Sequence, residues 1–199
     1  MLPPLVNVLG IMKSKSVSKE SGMRRVAVFG NAGGGKSTLA RQLAEITRLP
    51  LYSLDTIKYK PGGGEVPHDE YLRLHSELLQ GDEWIIDGFG CVSSAWERFS
   101  VADTLIYVDL PLFTHYAWVT KRLVKGLVVT PEGWPEGSPM WSGTFNSYRV
   151  LRLCHEKLTP RYRQLVAEQA AHKQVHHLRS PKAMKAFVGA VSDEYSGTR

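Results

Sequence analysis

The sequence predicts an α/β fold, a three-layer sandwich in which helices cover both faces of a five-stranded parallel sheet. Strand-like apolar runs alternate with helix-like segments along the chain, which is typical of parallel sheets. A glycine-rich turn joins the first strand to the first helix. Charged residues end or follow the other four strands, and ligands bind beyond the carboxyl ends of parallel strands. We therefore expect the functional site at that edge of the sheet.

The first strand and the first helix flank the glycine-rich turn. Residues 24–29, RRVAVF, form a β-branched and aromatic run that indicates a buried strand. Leu39, Leu43 and Ile46 then recur at helical spacing. Between them, residues 30–37 read GNAGGGKS, which is the full Walker A pattern in the strand–turn–helix context that the pattern requires.

The Walker A pattern binds nucleotide phosphates through backbone N–H groups at a helix N-terminus. Glycine is expected there because side chains would block the approach of a phosphate, and because some positions require a positive φ. Lys36 is expected to reach the β- and γ-phosphates, and the Ser37 hydroxyl to hold Mg²⁺. The predicted residues for ATP are Gly30, Asn31, Ala32, Gly33, Gly34, Gly35, Lys36, Ser37 and Thr38.

The next elements place two carboxylates near this loop. Residues 49–55 predict a second strand that ends at Asp55, and residues 83–87 predict a third strand that ends at Asp87. Residues 67–80, between them, have the apolar period and the flanking proline and glycine of a helix. The carboxylates are candidates for site residues because they end strands of the same sheet.

A short helix and the fourth strand follow. Ser94 and Glu97 fit a capping box, so a helix is expected to begin at Ser94. Residues 103–110 predict the fourth strand, and residues 112–125 predict an amphipathic helix that carries Arg122.

A long loop separates this helix from the next one. Residues 128–144 include three prolines, three glycines and two tryptophans without any regular period, and long ordered loops in enzymes are often lids. A helix from about residue 145 carries Arg149 and Arg152 one turn apart. Thr159, followed by a proline, predicts a break and a new helix start.

The chain ends with a fifth strand at residues 174–179 and a helix that starts at Pro181. The charged residues at the carboxyl ends of the second to fifth strands are Asp55, Asp87, Asp109 and Arg179. One such residue alone often marks only a turn, whereas several beside a phosphate loop favour a binding site.

Composition limits the classes of function. The chain has 199 residues, 43% hydrophobic composition and a formal net charge of +6, which suits one globular domain and an anionic small molecule. A recognition helix or a long basic patch is missing, so nucleic acid is not expected. Cys91 and Cys154 lack metal or redox spacing, which predicts reduced thiols in a cytoplasmic protein.

The first 22 residues are predicted to be a disordered extension, and residues 23–199 a single domain. Residues 2–11 are apolar but too short to span a bilayer, and they lack the basic start of a secretory signal. Residues 13–22 are polar. No membrane partner is expected.

The motifs GNAGGGKST, WIIDGFG and YVDLP together resemble those of adenylate kinase-like P-loop kinases, from residue 23 to about residue 191. Through SLDTIKYKPG, GDEWIIDG, ADTLIYVDLP and HLRSP the chain most resembles bacterial topology modulation (FlaR-like) proteins. The resemblance implies the strand order 2-3-1-4-5 and a kinase that uses ATP and Mg²⁺.

The resemblance also implies roles for single residues. Asp87 would hold Mg²⁺ together with Ser37. Arg122, Arg149 and Arg152 would close over the transferring phosphate, for which a planar guanidinium is suited. The loop from Arg179 to Pro181 matches the loop that packs on adenine in related kinases.

The acceptor is where the chain departs from adenylate kinases. Gly90 and Cys91 follow the Asp-Gly-Phe segment, where those enzymes have a proline and the arginine that clamps AMP. Asp55 instead stands where shikimate-type kinases place the aspartate that binds a hydroxyl acceptor. A phosphate acceptor would make a base unnecessary and would favour Lys58 or Lys60 as its partner.

The sequence therefore predicts an ATP-dependent phosphotransferase that acts on an unidentified small molecule, with Lys36, Asp55, Asp87 and the three arginines as catalytic residues. Two alternatives remain open. One is a P-loop NTPase that works as a switch, and the other is a regulatory protein that holds nucleotide without turnover.

Overall fold

The computed structural model describes residues 22–60, 64–126 and 140–197. Residues 1–21 of the predicted extension and residues 128–139 of the predicted lid lie outside the described residues. None of the described helices is both long enough and apolar enough to cross a membrane.

The sheet has five parallel strands in the order β2-β3-β1-β4-β5, as the sequence predicts. The strands are β1 (Arg25–Gly30), β2 (Leu51–Ser53), β3 (Trp84–Asp87), β4 (Thr104–Val108) and β5 (Gln174–Leu178). The register places Val28 of β1 opposite Asp87 on one side and Ile106 on the other. The end of β3 therefore lies next to the start of the glycine-rich loop.

Helices cover both faces of the sheet. They are α1 (Lys36–Thr47), α2 (Leu54–Lys58), α3 (His68–Leu79), α4 (Val92–Val101), α5 (Leu112–Gly126), α6 (Met140–Lys157), α7 (Thr159–Gln169) and α8 (Pro181–Ser196). Successive residues of a strand face opposite sides. Val26 and Val28 accordingly join the core beneath α1 and α8, while Ala27 and Phe29 join the core beneath α4 and α7.

Asp55 does not end a strand. Strand β2 stops at Ser53, and Asp55 lies in the first turn of the short helix α2. Leu54 is fully buried and anchors this turn in the core, which carries Asp55 to the carboxyl edge of the sheet. The predicted second strand is therefore too long at both ends, but the carboxylate remains on the predicted side.

The helix that was expected to begin at Ser94 begins two residues earlier. Helix α4 starts at Val92, and Cys91 occupies the N-cap position. The Ser94 Oγ accepts a hydrogen bond of 3.1 Å from the Cys91 N–H, so Ser94 takes the third helical position that Glu commonly occupies in a capping box. Glu97 instead lies near the ring of His75.

The last five residues of the predicted lid are helical, which corrects the expectation of a loop there. Helix α6 begins at Met140, so residues 140–144 belong to a helix. The predicted break before Pro160 is present, because α6 ends at Lys157 and α7 begins at Thr159. Leu158, one residue earlier than expected, is the N-cap.

Candidate active site

The glycine-rich loop has the backbone that its sequence predicts. Gly33 and Gly35 adopt φ values of 64° and 74°, in the left-handed region that favours glycine. Gly30 has a φ of 142°, and a Cβ there would lie 2.2 Å from the Val108 oxygen. Any other residue at these positions would strain the turn between β1 and α1.

Helix α5 gives a second reason for three consecutive glycines. A Cβ at Gly33 would lie 2.5 Å from Val119 Cγ2, and one at Gly34 would lie 2.8 Å from His115 Cε1. Real Cβ atoms do not approach other atoms so closely, so the loop and α5 are in direct contact. The sequence alone indicated phosphate access and a positive φ as reasons for the glycines, and did not reveal this contact with α5.

The loop is tied to its surroundings by polar contacts of Asn31, which is 8% exposed. The Asn31 backbone oxygen accepts a hydrogen bond of 2.8 Å from Lys36 Nζ. Its side-chain oxygen accepts one of 2.9 Å from the Ala32 N–H, and its Nδ2 donates one of 3.0 Å to the Leu151 oxygen of α6. Asn31 thus connects the loop to helix α6.

A cavity of about 190 Å³ lies beside the loop. It brings together predicted residues from separate elements: Gly30, Asn31, Ala32, Lys36, Ser37, Asp55 and Asp87. Its other walls come from the turn after β3 and from α6 and α7: Gly88, Phe89, Val150, Cys154, Leu158, Thr159 and Tyr162. The glycine-rich loop, Lys36, Ser37 and two carboxylates therefore share one cavity, whose far wall is mostly apolar.

The two carboxylates differ in their surroundings. Asp87 is 3% exposed, and its Oδ1 has no hydrogen-bond partner among the described residues. Asp55 is exposed at the edge of the cavity. Partial burial and then the charge of Asp87 raise the pKa of Asp55, although Lys36 and Lys58 act in the opposite direction. Asp55 is therefore the more accessible carboxylate of the two.

The donor set fits Mg²⁺, which prefers oxygen ligands and takes only one or two carboxylates from a protein, together with phosphates and water. The buried and unpartnered Oδ1 of Asp87 is the observation that supports this fit. The described residues contain no cluster of three or more metal-ligating side chains, and a Mg²⁺ site of this kind does not need one.

Arg98 is a functional candidate that the sequence did not reveal. It is fully buried on α4, and its Nη2 donates a hydrogen bond of 2.9 Å to the Gly88 oxygen, directly after Asp87. Burial lowers the pKa of its guanidinium to about 10, while nearby groups including Asp87 act in the opposite direction. No local pattern marks Arg98, because its partner belongs to a turn before its own helix.

Asp109, another charged residue at a strand end, belongs to a separate cluster. Arg163 donates hydrogen bonds of 2.8 and 3.1 Å to its two carboxylate oxygens, and His177 Nε2 lies 2.8 Å from Oδ2. Burial alone would raise the pKa of Asp109, but these hydrogen bonds outweigh it and the pKa is lowered. Asp109 joins α7 to β4 and β5 and does not line the cavity.

Two of the three predicted arginines, Arg149 and Arg152, do not line the cavity. Arg149 and Arg152 are exposed on α6, and Arg152 Nε donates a hydrogen bond of 2.8 Å to Glu156 Oε1. The α6 residues that line the cavity are Val150 and Cys154. Arg122 lies on α5, but its side chain is outside the described part of the chain.

The predicted adenine loop lies near the glycine-rich loop. Pro181 starts α8, and Met184, in its first turn, has its Cε 3.5 Å from a Cβ built on Gly35. Arg179 is exposed, and its Nη2 lies 3.3 Å from His177 Nδ1. Thr38, in the first turn of α1, is also exposed.

A larger cleft of about 440 Å³ lies between α4 and α7. It contains none of the predicted site residues. Lys173, on its wall, donates hydrogen bonds of 2.7 and 2.5 Å to the Phe99 and Ser100 oxygens at the end of α4. This cation therefore stabilises a helix end, and the predicted site residues that line a cavity lie in the smaller one.

The fold is shared with solved kinases. A shikimate kinase from Acinetobacter baumannii, in complex with shikimate, aligns with a TM-score of 0.57 and 15% identity over 89% of this chain and 95% of that chain. A shikimate kinase from Bacteroides thetaiotaomicron aligns with a TM-score of 0.51 and 14% identity over 88% and 99%. At these identities the likeness establishes the fold alone. No family model and no curated protein matches the sequence.

Proposed function

We propose that the protein is an ATP-dependent kinase that transfers the γ-phosphate to a hydroxyl group of a small molecule. The observation that carries this proposal is the single cavity shared by Lys36, Ser37, Asp55 and Asp87. The shikimate kinase fold supports it, because those enzymes are named for phosphorylating a small hydroxylated acid. We also propose that the protein is related to the topology modulation (FlaR-like) proteins and that it is cytoplasmic.

In this function Lys36 and the loop amides bind the phosphates of ATP, and Ser37 and Asp87 hold Mg²⁺. The metal supplies positive charge to the β- and γ-phosphate oxygens. The loop between β5 and α8, with Arg179 and Pro181, is proposed to contact adenine.

Asp55 is proposed to orient the acceptor hydroxyl and to accept its proton. The hydroxyl oxygen forms the new bond to the γ-phosphorus, and the bond from that phosphorus to the β–γ bridging oxygen breaks, so that ADP leaves. A raised pKa suits this role, because a general base works best when its pKa approaches the working pH. The exposure of Asp55 lets an acceptor reach it.

The proposal is tested by a screen of ATP consumption against sugars, hydroxy acids, nucleosides and nucleotides, with the products separated to show a phosphorylated acceptor. The Asp55→Asn protein is screened in parallel, with Asp193→Asn, an exposed carboxylate on α8, as the matched control. Transfer that depends on Asp55 but not on Asp193 supports the kinase. Phosphate release without any acceptor would favour the NTPase, and binding of ATP without turnover would favour the regulatory protein.

A further inference from the structure

His115 lies beneath the glycine-rich loop and is 1% exposed. Its Nδ1 is 2.8 Å from the Ala32 oxygen. A carbonyl oxygen can only accept a hydrogen bond, so Nδ1 must be the donor and must carry a proton. Burial lowers the pKa of His115 and the charge of Lys36 adds to this effect, although hydrogen bonds to the Ala32 and Leu110 oxygens act in the opposite direction. The contact with the Ala32 oxygen thus fixes a proton on Nδ1.

The Ala32 residue is held at both of its backbone polar groups. Its N–H donates to Asn31 Oδ1 at 2.9 Å, and its oxygen accepts from His115. In a trans peptide the C=O and the following N–H point in opposite directions, and the described residues contain no cis peptide. Because the Ala32 oxygen points toward α5, the Gly33 N–H points away from α5.

The Gly33 N–H has no acceptor among the described residues. It lies in the part of a Walker A loop whose amides bind phosphate. The loop cannot relax toward α5, because the His115 ring already touches the space beside Gly34. The ring thus fixes the direction of the peptide between Ala32 and Gly33, and it limits how closely the loop can approach α5.

We propose that His115 is a positioning residue, which holds the Ala32 oxygen against α5 and so directs the Gly33 N–H at a phosphate of the bound nucleotide. This role rests on the proposed function, because it requires a nucleotide phosphate in the loop. It adds a residue from outside the Walker A motif to the phosphate site. His115 itself touches no phosphate.

The test compares His115→Asn with His115→Leu. The two side chains are similar in shape, but only asparagine can place an N–H donor near the position of Nδ1. Binding of ADP and of inorganic tripolyphosphate is measured by calorimetry. His75→Leu is the matched control, because His75 is also a fully buried histidine but lies on α3, away from the loop.

We expect His115→Leu to weaken the binding of both ligands about tenfold, which is the scale of one lost hydrogen bond to a charged group. His115→Asn should remain within about threefold of the wild type, and His75→Leu should not change binding. Equal losses in the asparagine and leucine proteins would show that the donor is irrelevant and would overturn the proposal. So would an equal loss in His75→Leu, because the cause would then be general destabilisation.

A measurement on the wild-type protein keeps the test independent of whether the variants fold. The ¹⁵N spectrum of the His115 ring should show the Nδ1–H tautomer, and the Gly33 amide resonance should shift when tripolyphosphate is added. An Nε2–H tautomer, or a Gly33 amide that does not respond to bound tripolyphosphate, would overturn the proposal. If the wild type binds neither ADP nor tripolyphosphate, the proposed function fails together with the positioning role.

Discussion

Lys36 Nζ donates a hydrogen bond of 2.8 Å to the backbone oxygen of Asn31, across the glycine-rich loop. This contact holds the ammonium group inside the loop rather than in solvent. A bound phosphate would offer the same group a charged acceptor, and hydrogen bonds between charged groups are stronger than those to a neutral carbonyl. Phosphate binding is therefore expected to replace the contact with Asn31.

Replacing Lys36 by alanine should remove most of the nucleotide-dependent activity and weaken ATP binding at least tenfold, because one charge-assisted contact to the phosphates is lost. Calorimetry with ATP and Mg²⁺ measures the affinity. Lys185→Ala, an exposed lysine on α8, serves as the control and should bind as the wild type does. Equal affinity of the wild type and Lys36→Ala would refute a phosphate-binding role for this loop.

Asp55→Asn should lower turnover by a hundredfold or more, which is roughly the contribution of a general base, while ATP affinity stays within about twofold. In the wild type, kcat/KM should fall as the pH drops through the pKa of Asp55, which is raised above its ordinary value of 3.8. This acid limb should disappear from the residual activity of Asp55→Asn. Rapid phosphorylation of AMP by both proteins would instead indicate an ordinary nucleoside monophosphate kinase.

The same substitution should raise stability at neutral pH. A carboxyl whose pKa is raised in the folded state costs stability above that pKa, and the cost disappears as the pH falls through it. Asp55→Asn removes the cost, so its Tm should exceed that of the wild type slightly at pH 7 and should converge with it in acid. The rise is small because Asp55 is exposed to solvent. A lower Tm at pH 7 would contradict the predicted direction.

The Asp109 cluster should act on stability and not on nucleotide affinity. Its lowered pKa means that its contribution is present above about pH 4 and is lost as the pH falls through the folded-state value. Asp109→Asn should cost about 1–2 kcal/mol of unfolding free energy, a figure reduced because the Arg163 side chain is largely exposed. Urea unfolding measures the loss, and an unchanged midpoint at pH 7 would contradict it.

Local sequence patterns were sufficient to predict the strands of the sheet and the glycine-rich loop. The period of β1, the Walker A spacing and the apolar face of α1 all lie within one continuous stretch, so sequence reasoning placed them correctly. The order of the strands came from the family resemblance, and the parallel sheet confirms it.

The side-chain pairings that the sequence did not reveal join distant elements. His115 is linked to Ala32 across 83 positions, and Asn31 to Leu151 across 120. Neither pairing leaves a local pattern. Arg98 was missed for a related reason, because its partner Gly88 lies outside its own helix, and for Asp55 only the element was wrong, since it lies in α2 and not at the end of a strand. Arg152 is exposed because it lies on the face of α6 that is turned to solvent, where it bonds Glu156. Whether the arginines of α5 and α6 approach bound phosphates stays a prediction.

The close approach of Gly34 to His115 allows a test in which a larger residue at position 34 is compensated by a smaller one at position 115. Gly34 has no positive φ, so alanine is compatible with its backbone. The three heavy atoms nearest to the added Cβ are His115 Cε1 at 2.8 Å, the Asn31 backbone oxygen at 3.2 Å and His115 Nδ1 at 3.4 Å. Gly34→Ala should therefore displace the loop from α5 and weaken ADP binding about tenfold or more, since phosphate amides must be placed accurately.

The double variant Gly34→Ala with His115→Asn should recover much of this loss, because asparagine lacks the ring atom that meets the new methyl group and still carries an N–H donor. Gly189→Ala is the control, since a Cβ at that position in α8 meets nothing within 4 Å. It should leave binding unchanged and stabilise the helix by up to about 1 kcal/mol. If the double variant binds ADP no better than Gly34→Ala alone, the loop is not held against α5 through this contact.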